Sequence, residues 1–392
     1  MRLPVRLRRA VVVPALALAL GGCSWLGGWF GGGKEAVEPP SPLPALEAPH
    51  RVETLWRTDA GAGPGKALLG IAPLVDGGRV YVADRKGHVL AFDAVSGERV
   101  WEADVKAPIS GGPGGGSGLV VVGTPDAEVV ALDAASGALR WRATVTSEVL
   151  AAPRAGQAAV VVRTVDGRLA ALDLSDGHRL WVYGRPVPAL TLRGTSAPVV
   201  DGGRVYAGFD DGRLTALRLK DGRLLWERAV AVPRGRSELE RMVDIDADPV
   251  VADGVVYAVA YQGNAGAWDA EDGQPYWRRK LSSWTGLALD AGRVYVTDDQ
   301  GRVWALARLT GAAVWRQEAL LRRGLTAPAV AGDHVVVGDF EGWLHWLATG
   351  DGRIVARARV DSSGLAGRPV AAGDVVYALA RDGTLAAFRL AE

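Results

Sequence analysis

The stretch ALDAASGALRW at positions 131–141 decides the fold of this 392-residue chain. Its pattern, Ala-Leu-Asp-x-x-x-Gly-x-x-x-Trp, returns 40 residues earlier, with Phe for Leu, and again 40 residues later, so that tryptophans stand at 101, 141 and 181. Weaker copies end at Trp226, Trp277 and Trp315, and one further copy around Gly352 has lost its tryptophan. A period of about 40–45 residues built from short strands predicts a β-propeller.

Each repeat predicts four antiparallel strands, which make one blade. In the first repeat the apolar runs are 71–75, 79–83, 88–93 and 99–103. Asp-Gly-Gly, Arg-Lys-Gly and Ser-Gly separate these runs, and Asp-Gly and Gly-Gly supply the positive φ angles of tight hairpins. Repeats begin near prolines at Pro73, Pro113, Pro153, Pro198, Pro249, Pro328 and Pro369, and a proline-free one begins near Leu287. The count predicts eight blades.

The two ends of the repeat region complement each other. The last repeat stops at Glu392 without an outer strand, whereas Glu53–Arg57 precedes the first repeat as a strand without a blade. Pairing the two closes the ring and leaves no sheet edge open for aggregation. We therefore expect an all-β fold, an eight-bladed propeller over residues 51–392, with the N-terminal strand completing the last blade. The recurrent tryptophans are then expected to pack between neighbouring blades and not to line a ligand site.

The N-terminus predicts a lipid-anchored, exported protein. Residues 1–22 combine arginines with a 13-residue apolar run, which is too short to span a bilayer and typical of a signal peptide. Leu20-Gly21-Gly22-Cys23 resembles a bacterial lipobox, in which the cysteine thiol is acylated, and Cys23 is the only cysteine. Ser24 in place of Asp favours the outer membrane. Residues 23–50, rich in glycine and proline, then form a lipidated flexible tether.

Composition and motifs give little indication of a catalytic, metal-binding or nucleic-acid-binding site. A net charge of +1 without basic tracts argues against binding to nucleic acid. The five histidines have no metal-ligand spacing, and no nucleophile elbow or phosphate loop is complete. The tryptophan phrase resembles the docking repeat of pyrroloquinoline quinone dehydrogenases, which are also eight-bladed. Those enzymes hold the quinone over calcium, commonly beside a disulfide of adjacent cysteines, which this chain lacks.

From these observations we expect a non-enzymatic protein, with no catalytic residue, cofactor or metal. The alternative is a quinoprotein-like enzyme, or a binder of a small ligand in the central channel. A third possibility is an envelope scaffold for another partner.

The repeat is stretched at two consecutive places. The step from Trp181 to Trp226 is 45 residues and the step from Trp226 to Trp277 is 51, against 40 for each of the two steps from Trp101 to Trp181. Both extra stretches connect an outer strand to the next inner strand, so they are expected to emerge side by side on one face. They carry Leu190-Thr191-Leu192-Arg193 and Asp244-Ile245-Asp246, a composition typical of a binding patch.

At these loops the chain resembles the BamB family of lipoproteins from the outer-membrane β-barrel assembly (BAM) machinery. The resemblance covers the mature chain and is sharpest at four stretches: 190–198, 244–251, 338–346 and 360–364. It implies a scaffold on the periplasmic face of the outer membrane that binds the POTRA domains of BamA, alongside the rest of the complex. The family's binding residues carry over to Leu190, Leu192, Arg193, Asp244 and Asp246. Exposed strand edges could also accept unfolded outer-membrane protein clients.

Overall fold

The computed structural model describes residues 38–46, 50–65, 71–192 and 194–391. The predicted signal peptide, the predicted acylation site Cys23 and Arg193 lie outside these ranges. One compact unit runs from Pro40 to Glu392. Among the described residues, no helix has the length and apolar character needed to cross a membrane.

The described regular structure is almost entirely β. Its strands are β1 (Val52–Asp59), β2 (Leu74–Asp76), β3 (Arg79–Ala83), β4 (His88–Asp93), β5 (Arg99–Asp104), β6 (Gly111–Gly116), β7 (Leu119–Gly123), β8 (Glu128–Asp133), β9 (Leu139–Thr144), β10 (Arg154–Ala155), β11 (Ala159–Thr164), β12 (Arg168–Asp173), β13 (Arg179–Gly184), β14 (Val199–Asp201), β15 (Arg204–Gly208) and β16 (Arg213–Arg218). They continue with β17 (Leu224–Ala229), β18 (Val250–Ala252), β19 (Val255–Val259), β20 (Asn264–Asp269), β21 (Pro275–Lys280), β22 (Leu287–Leu289), β23 (Arg293–Thr297), β24 (Val303–Ala307), β25 (Ala313–Gln317), β26 (Ala329–Ala331), β27 (His334–Gly338), β28 (Trp343–Ala348), β29 (Ile354–Arg359), β30 (Val370–Ala372), β31 (Val375–Leu379) and β32 (Thr384–Leu390). One short helix, α1, spans Glu238–Arg241.

These strands form six four-stranded sheets and one eight-stranded sheet. The eight-stranded sheet consists of β6–β9 and β10–β13, joined by one parallel pairing of Arg154 with Gly115. The described strands therefore make eight antiparallel units, called blades 1 to 8 after their innermost strands β2, β6, β10, β14, β18, β22, β26 and β30. Consecutive innermost strands contact each other, and β30 contacts β2, so the blades close into a ring. The all-β propeller that the sequence predicts is confirmed.

The N-terminal strand completes the last blade, as the sequence predicts. β1 pairs antiparallel with β32 from Val52 opposite Leu390 to Asp59 opposite Thr384, with a bulge between Thr54 and Trp56. One prediction for blade 1 is wrong in its bounds: the innermost strand begins at Leu74, after Pro73, and not at 71. Proline has no N–H to give to a strand neighbour, so it stands before the ladder.

The repeated tryptophans join neighbouring blades. Trp101 of blade 1 lies against Gly137 in the outermost turn of blade 2, and its indole N–H donates to Ala134 O at 3.1 Å. The same arrangement recurs for the pairs Trp56–Gly97, Trp141–Gly177, Trp181–Gly222, Trp226–Gly273, Trp277–Gly311 and Trp315–Gly352. The glycine and the tryptophan of one phrase therefore serve two different interfaces. The predicted packing role of the tryptophans is confirmed.

Candidate functional site

The two long connections lie side by side, as the strand order predicts. The first loop (185–198) follows blade 3 and the second loop (230–249) follows blade 4. The backbone N–H of Leu192 donates to the Asp244 carboxylate, and that of Ala197 donates to Asp248 at 2.6 Å. Two carboxylates of the second loop thus hold the backbone of the first, so the two loops form one surface.

The base of the first loop is fixed by ion pairs. Arg185 contacts Asp211 at 2.5 Å and also pairs with Glu227, which accepts from Arg213 at 2.6 Å. These groups belong to the edge of blade 4, so the loop leaves blade 3 already attached to its neighbour. A partly buried network of this kind restricts the loop more than a single surface pair would.

The second loop carries its own short helix. Ser237 accepts from the N–H of Glu240, and the Glu240 side chain accepts from the N–H of Ser237, which is a capping box. Gln262 of blade 5 also donates to Leu239 O at 3.1 Å. These bonds position the Leu239 side chain, which is 61% exposed, on the outer surface of the loop.

The predicted partner-binding residues differ in exposure. Leu190 is 41% exposed, whereas Leu192 is half-buried and turns toward the ring axis. Asp244 is only 1% exposed, and its described contact is with the Leu192 backbone. Asp246 is partly buried beside Gly194, where an added Cβ would lie 2.8 Å from the Asp246 carboxyl carbon. Gly194 therefore leaves room for this carboxyl group, which a side chain at position 194 would have to displace.

Burial shifts the titration of both carboxylates. Burial raises the pKa of Asp244 to about 6, although the hydrogen bond from Leu192 opposes the shift. Burial, together with the negative charges of Asp244 and Asp210, raises the pKa of Asp246 to about 7. Both shifts disfavour the ionised form because charge is costly where water is excluded. At neutral pH the pair therefore carries less than two full negative charges.

One buried arginine faces this group of acids. Arg163 is fully buried, pairs with Asp210 at 2.6 Å and stacks over the Phe209 ring at 4.6 Å. Burial raises the pKa of Asp210, and Arg163 opposes that shift. The ion pair belongs to blades 3 and 4, directly beneath the two loops. It gives the two loops a rigid base, and its charged groups are buried.

A central cavity of about 750 Å³ opens between the innermost strands. Leu192, Gly194 and Asp246 of the two loops line it, together with residues from the other blades. Its volume lies within the range of small-ligand pockets. The candidate partner surface and the cavity therefore share the same loop residues.

One group of potential metal ligands occurs among the described residues. Asp173, Asp176 and His178 lie together in the outermost turn of blade 3. Asp173 accepts from the N–H and hydroxyl of Ser175, and Asp176 contacts the His178 ring at 2.7 Å. These hydrogen bonds are typical of a tight turn, and they explain why the three side chains lie close together.

Sequence reasoning missed a polar cluster in blade 7. Asp339 accepts from Arg323 at 2.8 Å and from His345 Nε2 at 3.0 Å, and all three side chains are buried. Burial lowers the pKa of His345, which keeps the imidazole neutral, with Nδ1 free to accept from Arg357 at 3.3 Å. Stretch 338–346, singled out above, contains half of this cluster.

The cluster holds the segment that precedes the ring. Ser41 O accepts from Arg323 at 3.1 Å, Ser41 N–H donates to Leu321 O at 3.0 Å, and Pro44 O accepts from Arg357 at 2.9 Å. We call residues 40–46 the strap. The end of the tether is therefore bound along blade 7 before β1 begins.

The chain is similar to proteins of one family along its whole length. The family model described as outer membrane protein assembly factor BamB matches residues 51–109, 85–317 and 305–392. A curated protein of that name from Alkalilimnicola ehrlichii is 51% identical over 385 residues, which cover 98% of each chain.

Solved structures show the same relationship and a wider one. The crystal structure of BamB from Moraxella catarrhalis has a TM-score of 0.77 and 30% identity, covering 86% of this chain and 100% of that one. A quinohemoprotein alcohol dehydrogenase from Comamonas testosteroni has a TM-score of 0.67 at 15% identity, covering 86% and 76%. At that identity the likeness extends to the fold alone.

Proposed function

Because this chain belongs to the family of outer membrane protein assembly factor BamB, we propose that it is a non-enzymatic scaffold of the BAM machinery. It assists the folding and insertion of outer-membrane proteins. Acylation at Cys23 anchors it in the outer membrane, with the propeller on the periplasmic face.

The partner is BamA, whose POTRA domains bind the surface formed by the two loops. The observation that carries this proposal is the bond between the Leu192 backbone and the Asp244 carboxylate, because it joins the two loops into one surface. Leu190 and Leu239 stand exposed on that surface, 41% and 61%, and provide apolar anchors. Arg193 contributes a cation that engages carboxylate or carbonyl oxygens of the partner.

Asp244 and Asp246 act within this surface in different ways. Asp244 is buried, so it serves as a positioning residue that sets the conformation of Leu192. Asp246 is partly exposed toward the cavity and fixes the close approach of Gly194. The remaining members of the machinery associate through BamA.

Family membership supports a non-enzymatic role over the quinoprotein-like alternative, since the curated relatives are named as assembly factors. Seven tryptophans of the repeat are used between blades. A scaffold needs a rigid ring with a defined outer surface, and these contacts supply one.

Affinity purification of the full-length lipoprotein from solubilised membranes tests the proposal. The double variant Leu190→Ala/Leu192→Ala is expected to recover at least about tenfold less BamA, because apolar anchors dominate such interfaces. Leu309→Ala is the matched control: this leucine is 87% exposed and lies in the turn between β24 and β25, at the opposite end of the strands. Undiminished recovery of BamA with the double variant would contradict the proposal.

The positioning role of Asp244 has its own readout. Asp244→Ala removes the acceptor for the Leu192 N–H and is expected to reduce BamA recovery, whereas Asp244→Asn keeps an acceptor oxygen and is expected to restore it. A melting temperature equal to that of the unaltered protein shows that the ring is intact. If Asn fails as badly as Ala, the carboxylate has another role.

A further inference from the structure

The central cavity brings together two arginines with few partners. Arg154 begins β10 of blade 3, Arg368 precedes β30 of blade 8, and Asp248 precedes β18 of blade 5. Both guanidinium groups approach the same carboxylate oxygen of Asp248, at 3.5 Å and 3.6 Å. Strong charge-assisted bonds are shorter, about 2.7–2.9 Å. One carboxylate is thus shared loosely by two cations from different parts of the ring.

Asp248 cannot satisfy either arginine further. Its other oxygen accepts the N–H of Ala197 at 2.6 Å, which ties it to the first loop. Each guanidinium has five N–H donors, and among the described residues the side-chain polar contacts of Arg154 and Arg368 are these loose pairings alone. The arginines therefore keep donors directed into the cavity.

The charge of the cavity wall is positive. Among the described lining residues, the charged ones are Arg154, Arg368 and Arg381 against Asp246 and Asp248. Burial raises the pKa of Asp246 to about 7, so its negative charge is incomplete at neutral pH. Burial lowers the pKa of Arg154, Asp248 opposes that shift, and the positive charge of Arg368 adds to it by repulsion. An anion placed here would relieve that repulsion.

The rest of the wall is apolar and aromatic. Tyr261 and Trp284 meet edge to face at 5.7 Å, and Trp284 is 43% exposed. Leu74, Leu150 and Leu192 contribute aliphatic surface. A wall of this type favours a ligand with an apolar or aromatic body and one charged group.

We propose that the central cavity binds an organic carboxylate, with its oxygens between Arg154 and Arg368 and its apolar body against Trp284. The two guanidinium groups present a wide set of N–H donors, which suits the two oxygens of a carboxylate. Asp248 bridges the two arginines through one oxygen and leaves their other N–H donors for the ligand. This site lies inside the ring and shares Leu192 and Asp246 with the two loops of the partner surface, so its test uses Arg154, Arg368 and Trp284, which lie outside those loops.

Calorimetric titration of the purified full chain tests the site with three probes: N-acetyl-L-phenylalanine, its uncharged amide, and inorganic phosphate. The acid is expected to bind at least about tenfold more tightly than the amide or phosphate. Arg154→Gln and Arg368→Gln are each expected to weaken binding of the acid by about tenfold or more. The matched control is Arg353→Gln, since that side chain is 74% exposed and pairs with Asp351 at 3.7 Å.

A further variant distinguishes the contribution of the ligand's apolar body to binding from that of its charge. Trp284→Ala is expected to weaken binding of the aromatic acid and to leave the affinity for acetate unchanged. Equal affinity for acid and amide would overturn the proposal, as would phosphate binding as tightly as the acid. Loss of binding in the Arg353→Gln control, or absence of binding of the acid up to about 10 mM, would overturn it as well. Unchanged melting temperatures confirm that each variant is folded.

Discussion

Each tryptophan of the repeat fits a glycine of the next blade. At these glycines the backbone has a positive φ, for instance +74° at Gly137, and the space for a Cβ is filled by the indole. The preceding aspartate closes the same turn, as Asp133 does by accepting from the N–H of Ser136 at 2.8 Å. The spacing Asp-x-x-x-Gly-x-x-x-Trp therefore has two parts. The Asp-to-Gly part forms the turn that packs against the indole of the preceding blade, and the Trp on the strand after it packs against the following blade.

A glycine pair tests this fit. Gly137→Ala would place a Cβ 2.6 Å from the Trp101 ring, whereas Gly254→Ala meets nothing within 4 Å at nearly the same φ, +73°. Both substitutions carry the same backbone strain, so their difference isolates the clash. We expect Gly137→Ala to lower the free energy of unfolding by about 1–3 kcal/mol more than Gly254→Ala, measured by urea denaturation. Equal losses would show that the indole can move aside at no cost.

At the scale of elements, the strap attaches the tether to blade 7. Its hydrogen bonds run from the carbonyls of Ser41 and Pro44 to arginine side chains, and His50 N–H donates to Val355 O at 2.9 Å. The bound segment follows the exposed edge of β29, which would otherwise remain open. Only the residues before the strap are then available to span the distance to the proposed lipid anchor.

Two arginines on β29 provide a test of the strap. Arg357 and Arg359 both stack over Trp343, at 5.7 Å and 5.4 Å, but of the two it is Arg357 that donates to Pro44 O. Arg357→Gln is expected to raise hydrogen exchange in a peptide covering residues 41–46 several-fold, and Arg359→Gln to leave it unchanged. If both variants raise exchange equally, stacking on Trp343 and not the bond to the strap is what matters.

The elements differ in how far the sequence predicts them. The sequence predicts the two loops because they add residues to a regular period. Their adjacency follows from strand order alone. The sequence does not predict the strap, because its contacts are made by backbone carbonyls, which every residue has. A proline-rich run is also typical of a spacer. The same holds for Asp244: the sequence places it in a loop, but its burial depends on the Leu192 backbone, 52 positions away. Arg154 and Arg368 meet only because the ring closes.

For the whole molecule, closure depends on the junctions on either side of blade 8. Blade 7 has no tryptophan on its outer strand, and Trp346 instead meets Phe388 of blade 8 edge to face at 6.4 Å. On the other side, Trp56 of β1 lies against Gly97 of blade 1, and Tyr377 donates to Ala94 O at 3.1 Å. The strand that closes the ring, β1, therefore also contributes Trp56 to the interface between blades 8 and 1. Without β1, blade 8 would lose both an outer strand and this contact.

A disulfide across the closure tests how much stability the ring gains there. Glu53 lies opposite Arg389, and opposed residues of antiparallel strands stand about 4.5–5.5 Å apart, within reach of a disulfide. In a chain beginning at Ser24, which lacks other cysteines, Glu53→Cys/Arg389→Cys is expected to oxidise in the folded state. Because the bond would close nearly the whole chain into a loop, it should raise the free energy of unfolding by about 2–4 kcal/mol.

Urea denaturation with and without reductant measures that gain, and the exposed ion pair lost between Glu53 and Arg389 contributes little. The control Glu53→Cys/Thr384→Cys places the second thiol at the other end of β32, opposite Asp59, so its stability should not respond to reductant. If the matched pair remains reduced under oxidising conditions while the protein is folded, β1 does not hold this register in solution. If it oxidises without any gain, strain that the bond introduces into the folded state offsets the entropy it removes from the unfolded chain.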